Sequence, residues 1–238
     1  MRRTVVLTTP GKSRDHDYGD CIDVLKHQLG LLVLETRRHP QLDMARSSLA
    51  CAALDQGADV AFFIDSDITF DPPDVERLAD VARETRGVVG APYSIRGMGA
   101  GVIGGIDPDV GDVVFFEGGG LYPATGIIGM GFTAIHADAF ARLDRLPEYA
   151  PRQSPGGLLR PYFQKLVVDG YWHHEDASFC HAVRQAGGTT HVATRFRVRH
   201  VGDHPFCIED ASRRDWERPT ITYRVKTDWE QRTFPAKK

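Results

Sequence analysis

The sequence predicts an α/β domain built on a mostly parallel, doubly wound sheet. Three observations predict it. First, short β-branched and apolar runs at residues 5–7, 31–34, 58–64 and 88–89 alternate with stretches of helical spacing, the pattern of successive strand–helix units that lay strands side by side. Second, residues 58–64 are apolar except for Asp59, as a central strand covered on both faces requires. Third, 238 residues with 42% hydrophobic and 26% charged content suffice for a buried core without disulfide staples.

Each element has its own signal. Val5-Val6-Leu7 is a buried first strand, ended by the turn residues Thr8-Thr9-Pro10-Gly11. Helical spacing follows over residues 20–29, and residues 31–34 form a second strand. Met44, Ala45, Leu49 and Ala53 mark a helix over 42–54 that Gly57 closes. Strand 58–64 delivers Asp65-Ser66-Asp67 at its end. Pro72-Pro73 opens the next helix, since proline is tolerated in a first turn; Val75, Leu78, Ala79 and Ala82 are its apolar stripe, and Gly87 stops it.

The second half changes character. Glycine clusters at 97–105, 118–120 and 126–131, with short apolar pieces at 113–116 and 132–135 between them. Residues 153–157 read as a mobile loop. A helix is expected over 176–186, stopped by Gly187-Gly188, and a last strand over 198–201. The tail after Asp210 is polar and rests on the body. The expected organisation is a single domain, 1–238, in three stretches: 1–95, 96–210 and a C-terminal tail, 211–238.

Composition excludes several classes. A net charge of -3 with interspersed signs argues against stable nucleic-acid binding, which calls for a basic excess. Cys21, Cys51, Cys180 and Cys207 include no CxxC pair, so a zinc ribbon or dithiol motif is not expected. No stretch approaches a membrane span, and the first apolar run is too short for a signal-peptide core. The expectation is a soluble, cytoplasmic protein.

Phe62-Phe63-Ile64-Asp65-Ser66-Asp67-Ile68 carries the strongest chemical signal. Two carboxylates two residues apart in extended chain point the same way, and ligands of doubly wound sheets gather at the carboxyl ends of strands. Asp65 and Asp67 there suit one hard divalent cation, which prefers oxygen donors and binds phosphate. The competing reading is a turn whose aspartates cap the next helix. Glu175-Asp176 begins a later helix, where the dipole alone favours acidic residues. His173, His174 and His181 form no zinc-protease motif, because Ser178 stands where the second histidine is needed.

The chain resembles the GT-A glycosyltransferases, specifically the small family-2-like bacterial and phage type. The resemblance rests on an ordered set: Leu42-Asp43-Met44-Ala45-Arg46-Ser47, Gly57 through Ile68, Val88-Val89-Gly90-Ala91-Pro92-Tyr93, Gly129-Met130-Gly131-Phe132, His174 through Cys180, and Arg199-His200-Val201-Gly202. It implies a Rossmann-like GT-A fold, with a mostly parallel central sheet flanked by helices and a smaller mixed sheet. It implies a UDP-sugar or GDP-sugar donor, an unspecified acceptor, and Mn²⁺ or Mg²⁺ held by Asp65, Asp67 and His200. Thr8, Thr9, Pro10, Arg46 and Ser66 fall where the family contacts the nucleotide. Asp176 falls at the general base, with Glu175 second. Ser47 replaces an asparagine of the pattern and His174 a glycine. His204 is placed near the diphosphate, and Tyr93, Tyr162, Trp172 and Phe206 are candidates to stack on a sugar.

Two other readings stay open on the sequence. One is a fold of this type that binds nucleotide sugar and transfers nothing. The other is a non-haem iron oxygenase using His136, Asp138 and His200, although that chemistry sits on all-β barrels and the helical stretches here argue against one.

Overall fold

Strand β1 (Thr4–Thr9) is followed by α1 (His16–His27), β2 (Leu32–Glu35), α2 (Leu42–Asp55), β3 (Val60–Asp65), the two-residue β4 (Ile68–Thr69), α3 (Asp74–Thr85) and β5 (Val88–Gly90). After these come β6 (Tyr93–Ser94), β7 (Val102–Ile103), β8 (Asp112–Phe116), β9 (Leu121–Pro123), β10 (Phe132–His136) and α4 (Ala137–Leu143). The chain continues with β11 (Arg152–Ser154), β12 (Gly157–Leu159), β13 (Val167–Val168), β14 (Tyr171–Trp172), α5 (Glu175–Gln185) and β15 (Thr190–Ala193), then β16 (Arg199–Val201), β17 (Pro205–Phe206) and β18 (Thr220–Arg224). This computed structural model describes residues 2–9, 16–36, 41–95, 102–154, 156–201, 205–208 and 220–224.

The expected α/β architecture is present. Seven strands form the central sheet in the order β2-β1-β3-β10-β5-β15-β9. β1 runs parallel to β2 and β3, and β15 parallel to β5. Alternate side chains of one strand enter opposite layers, as a period of two demands. Val5, Leu7, Ala61 and Phe63 pack with α2, α4 and α5 on one face. Val6, Phe62 and Ile64 pack with α1 and α3 on the other. Both faces of β3 are therefore covered, which is why its sequence is apolar throughout.

Four details differ from the sequence reading. β10 is antiparallel and wedged between β3 and β5; a continuous apolar run reads the same in either direction. The strand expected at 198–201 is β16, which lies in a small sheet with β17 and β4 and is followed by two more strands. At the loop expected over 153–157, where Pro155 lies outside the described residues, β11 and β12 pair antiparallel and Ser154 Oγ donates to Gly157 O at 2.7 Å. Within the tail, β18 pairs antiparallel with β8. The four cysteines are free thiols, and among the described residues no helix is long and apolar enough to cross a membrane.

Candidate functional site

The carboxyl ends of β1 and β3 lie side by side, with Thr8 opposite Ile64 and Thr9 opposite Asp65. Thr8 is wholly buried, and its hydroxyl finds no hydrogen-bond partner among the described residues. Such a group is costly unless something satisfies it. Pro10 and His204 lie outside the described residues.

Beyond β3 the chain turns through Ser66 and Asp67 into β4. β16 is zipped to that turn: Val201 N donates to Asp67 O at 2.6 Å, and His200 pairs with Ile68. This brings His200 Nε2 to 3.5 Å from Asp67 Oδ2. The other ring nitrogen, Nδ1, lies 3.0 Å from Ser94 O on β6. A carbonyl only accepts, so Nδ1 donates to it, and this turns Nε2 toward Asp67. Metal-binding histidines are commonly oriented by such a bond.

Asp65 faces elsewhere. Arg46 on α2 sends Nη2 to both Asp65 oxygens, at 3.0 and 3.1 Å, and Nη1 to Glu175 Oε1 at 2.7 Å. Arg46 is 3% exposed and Glu175 8%, while the Asp65 side chain keeps 28%, so this is a largely buried ion triad joining α2, the end of β3 and the start of α5. Burial opposes the charge on Arg46, but Asp65 and Glu175 outweigh it and hold the guanidinium pKa above its ordinary value. The expected three-donor set of Asp65, Asp67 and His200 is thus divided: Asp67 faces His200, while Asp65 is engaged by Arg46. Among the described residues no group of three or more His, Cys, Asp or Glu side chains is clustered to hold a metal ion. Asp67 and His200, an oxygen and an oriented nitrogen, are nonetheless a donor pair that suits Mn²⁺ or Mg²⁺ when ligand oxygens complete the shell.

Asp176, next to Glu175 in the first turn of α5, accepts from Ala177 N at 2.7 Å. Burial pushes its carboxyl above the usual range; the Ala177 N–H opposes this, Glu175 and Asp65 add to it, and Arg46 pulls it down. Tyr93 links the two groups of residues. Its ring meets that of His200 edge-on at 5.5 Å. Its phenol is pushed far up by burial and by the charges of Asp65 and Asp176. Gly131 N donates to the Tyr93 hydroxyl at 3.3 Å. A Cβ on Gly131 would come within 2.9 Å of Tyr93 Cζ, and one on Gly129 would overlap the hydroxyl. These glycines make room for Tyr93, a role the sequence reading did not assign.

Other expected residues are placed apart from this cluster. Ser47 Oγ accepts from Phe163 N at 3.1 Å, pinning the segment before β13. Tyr162 is core, its hydroxyl donating to Asp144. Trp172 is 79% exposed on the hairpin just before α5. His136 caps α4 and pairs with Val60 at the opposite end of β3 from Asp65, about 16 Å away at 3.3 Å per residue. It cannot share a metal with His200, so the oxygenase triad does not assemble.

What the sequence reading missed is the partnership of Arg46. Arg46, Leu49, Ala50 and Ala53 fall at helical spacing and all are buried. A charge on an apolar stripe demands a buried counter-charge, and that signal was present in the spacing.

No protein-family model matches the sequence, and no curated protein matches it. Among solved structures, A197 from STIV is similar, with a TM-score of 0.53 and 17% identity over 85% of this chain and 87% of that one. GalNAc-T7 with UDP, GalNAc and Mn²⁺ aligns at a TM-score of 0.46 and 15% identity, over 84% of this chain and 43% of that one. The first likeness concerns the fold alone; the second score is too low to establish even that.

Proposed function

We propose that this protein is a glycosyltransferase that moves a sugar from a nucleoside diphosphate sugar, UDP- or GDP-linked, to an acceptor hydroxyl. One observation carries the reading: an oriented carboxylate–imidazole pair and a half-buried carboxylate gather around Tyr93 at the carboxyl ends of the parallel strands of the central sheet. The sequence resemblance independently assigns those positions to such an enzyme.

In this reading β1 receives the nucleotide, with the unsatisfied Thr8 hydroxyl at its end and Thr9 beyond it. Asp67 and His200 hold the divalent cation. Bound there, the cation supplies Lewis-acid neutralisation of the diphosphate leaving group. Asp176 is the general base: as the acceptor oxygen bonds to the anomeric carbon, its proton passes to the Asp176 carboxylate and the bond from that carbon to the diphosphate oxygen breaks. A raised pKa suits this task, because a more basic carboxylate holds the transferred proton better. Direct displacement of this kind inverts the anomeric centre. Glu175, committed to Arg46, positions rather than reacts.

The test is release of nucleoside diphosphate from a panel of UDP-, GDP- and dTDP-sugars with Mn²⁺, in the wild type and in Asp67→Ala. Turnover of one donor class that the substitution abolishes supports the reading. Tight donor binding without turnover across an acceptor screen would favour the non-catalytic binding protein.

A further inference from the structure

Arg46 touches two carboxylates that each stand beside a reacting group. Asp65 ends β3 two residues before Asp67 in the turn that follows, and Glu175 lies one residue before Asp176 on the first turn of α5. These carboxylates are far apart in the chain, 19 and 129 residues from Arg46. A guanidinium is a rigid planar fork, so acceptors bound to its two terminal nitrogens have their separation fixed.

We propose that Arg46 is a positioning residue that sets the distance between the Asp67–His200 pair and Asp176 by clamping Asp65 and Glu175 at once. The inference rests on the reading of the site given above. It departs from the nucleotide contact expected of this arginine, because both its terminal nitrogens are occupied by protein carboxylates.

Stability alone does not account for the arrangement. Arg46 and Glu175 are withdrawn from water and Asp65 is partly so, and well-packed apolar side chains commonly serve a core as well or better. Arg46 Nε adds to the cost, being buried with no hydrogen-bond partner among the described residues. What an apolar trio does not supply is directional control over two separate elements. The apolar link between β3 and α5, in which Phe163 packs on Phe63 and stacks on Phe179, is not directional; a forked pair of charged hydrogen bonds is.

The test compares Arg46→Lys and Glu175→Gln, singly and together, with the wild type. An ammonium is a point charge and does not span both carboxylates in a fixed geometry. Arg46→Lys is expected to lower kcat about 100-fold, the effect of roughly a 1 Å misplacement, with KM for the donor within about threefold. The same change in the Glu175→Gln background is expected to lower kcat much less, because one arm of the clamp is already weakened. Crystal structures of wild type and Arg46→Lys provide a readout separate from turnover, in which the Asp176 carboxyl moves relative to Asp67. If the wild type turns over no nucleotide sugar, the glycosyltransferase reading fails, and the crystallographic comparison still decides the clamp. An unmoved Asp176 carboxyl overturns the proposal, and so does an unchanged kcat in a folded Arg46→Lys protein.

Discussion

Two arginines at opposite ends of the central sheet show what the same chemistry does in different service. At the amino end of β3, Arg83 is saturated. Its Nε and Nη2 bind Asp59, Nη2 also binds Thr4, and Nη1 binds Glu76 and Asp80. Its carboxylates reach solvent, with side-chain exposures of 25% for Asp59 and 44% for Glu76 and Asp80; Asp65 on Arg46 matches Asp59 at 28%, whereas Glu175 is only 10% exposed. At the carboxyl end, Arg46 is buried with fewer partners and an unsatisfied Nε. The first arrangement relieves its charges and fastens α3 to the sheet edge. The second tolerates unrelieved polarity, which proteins commonly retain where function needs it. Ion pairs alone do not separate the two; the incompleteness of the polar satisfaction does.

The largest expected effect lies at the carboxyl end. Asp176→Asn is expected to lower transfer by roughly 10²–10⁴-fold, the usual contribution of a general base, while leaving donor binding intact. It is also expected to raise the melting temperature at neutral pH. The sign follows from linkage: a carboxyl whose native pKa is raised contributes fully to stability below its unfolded pKa, and that contribution is lost as pH rises through the native value. In the wild type, kcat falls as pH drops through the raised Asp176 pKa, so the acid limb of the rate profile lies above the ordinary carboxylate range. An acid limb at the ordinary carboxylate pKa, or near-normal transfer by the variant, would remove Asp176 as base.

Arg83→Met inverts the pattern. It is expected to cost about 2–3 kcal/mol in urea unfolding, at the low end for a broken ion-pair network because its carboxylates are partly solvated, with kcat per folded molecule unchanged. A selective loss of kcat would erase the contrast between the two ends. Gly129→Ala, which drives a methyl into the Tyr93 hydroxyl, is expected to cost about 1–2 kcal/mol through overpacking and to weaken donor binding by moving Tyr93 against His200. The smallest effect is expected for Thr8→Val. Removing a buried hydroxyl without a partner should stabilise the free protein by up to about 1 kcal/mol while reducing nucleotide affinity; calorimetry with and without nucleotide separates the two.

The layered sheet was legible because each of its parallel strands is a local signal. Residues 58–64 had to be a doubly covered strand, and a turn had to follow where Asp65 and Asp67 stand. The direction of β10 was not legible, since Phe132 and Ala134 on one face and Ile135 on the other pack the same way whichever way the strand runs. The hairpin β11–β12 was read as a mobile loop because proline and paired glycines mark a tight turn and a loose one alike. Within the site, Asp67, Asp176 and His200 stood out as residue types at strand and helix ends. The orientation of His200 did not, because its partner is the backbone carbonyl of Ser94, which any sequence supplies. Nor did the link from Arg46 to Glu175, which spans 129 residues; only the buried stripe on α2 hinted that a counter-charge had to exist.

The most direct test of the central claim is the melting temperature of the wild type and Asp67→Ala against UDP- and GDP-sugars, with and without Mn²⁺. At roughly a hundred times Kd, a ligand of the native state raises the melting temperature of a chain this size by about 5–10 °C. The account predicts that shift in the wild type only when one nucleotide sugar and Mn²⁺ are present together, and its loss in Asp67→Ala. An undiminished Mn²⁺-dependent shift in Asp67→Ala, or no shift of the wild type with any nucleotide sugar, would contradict it.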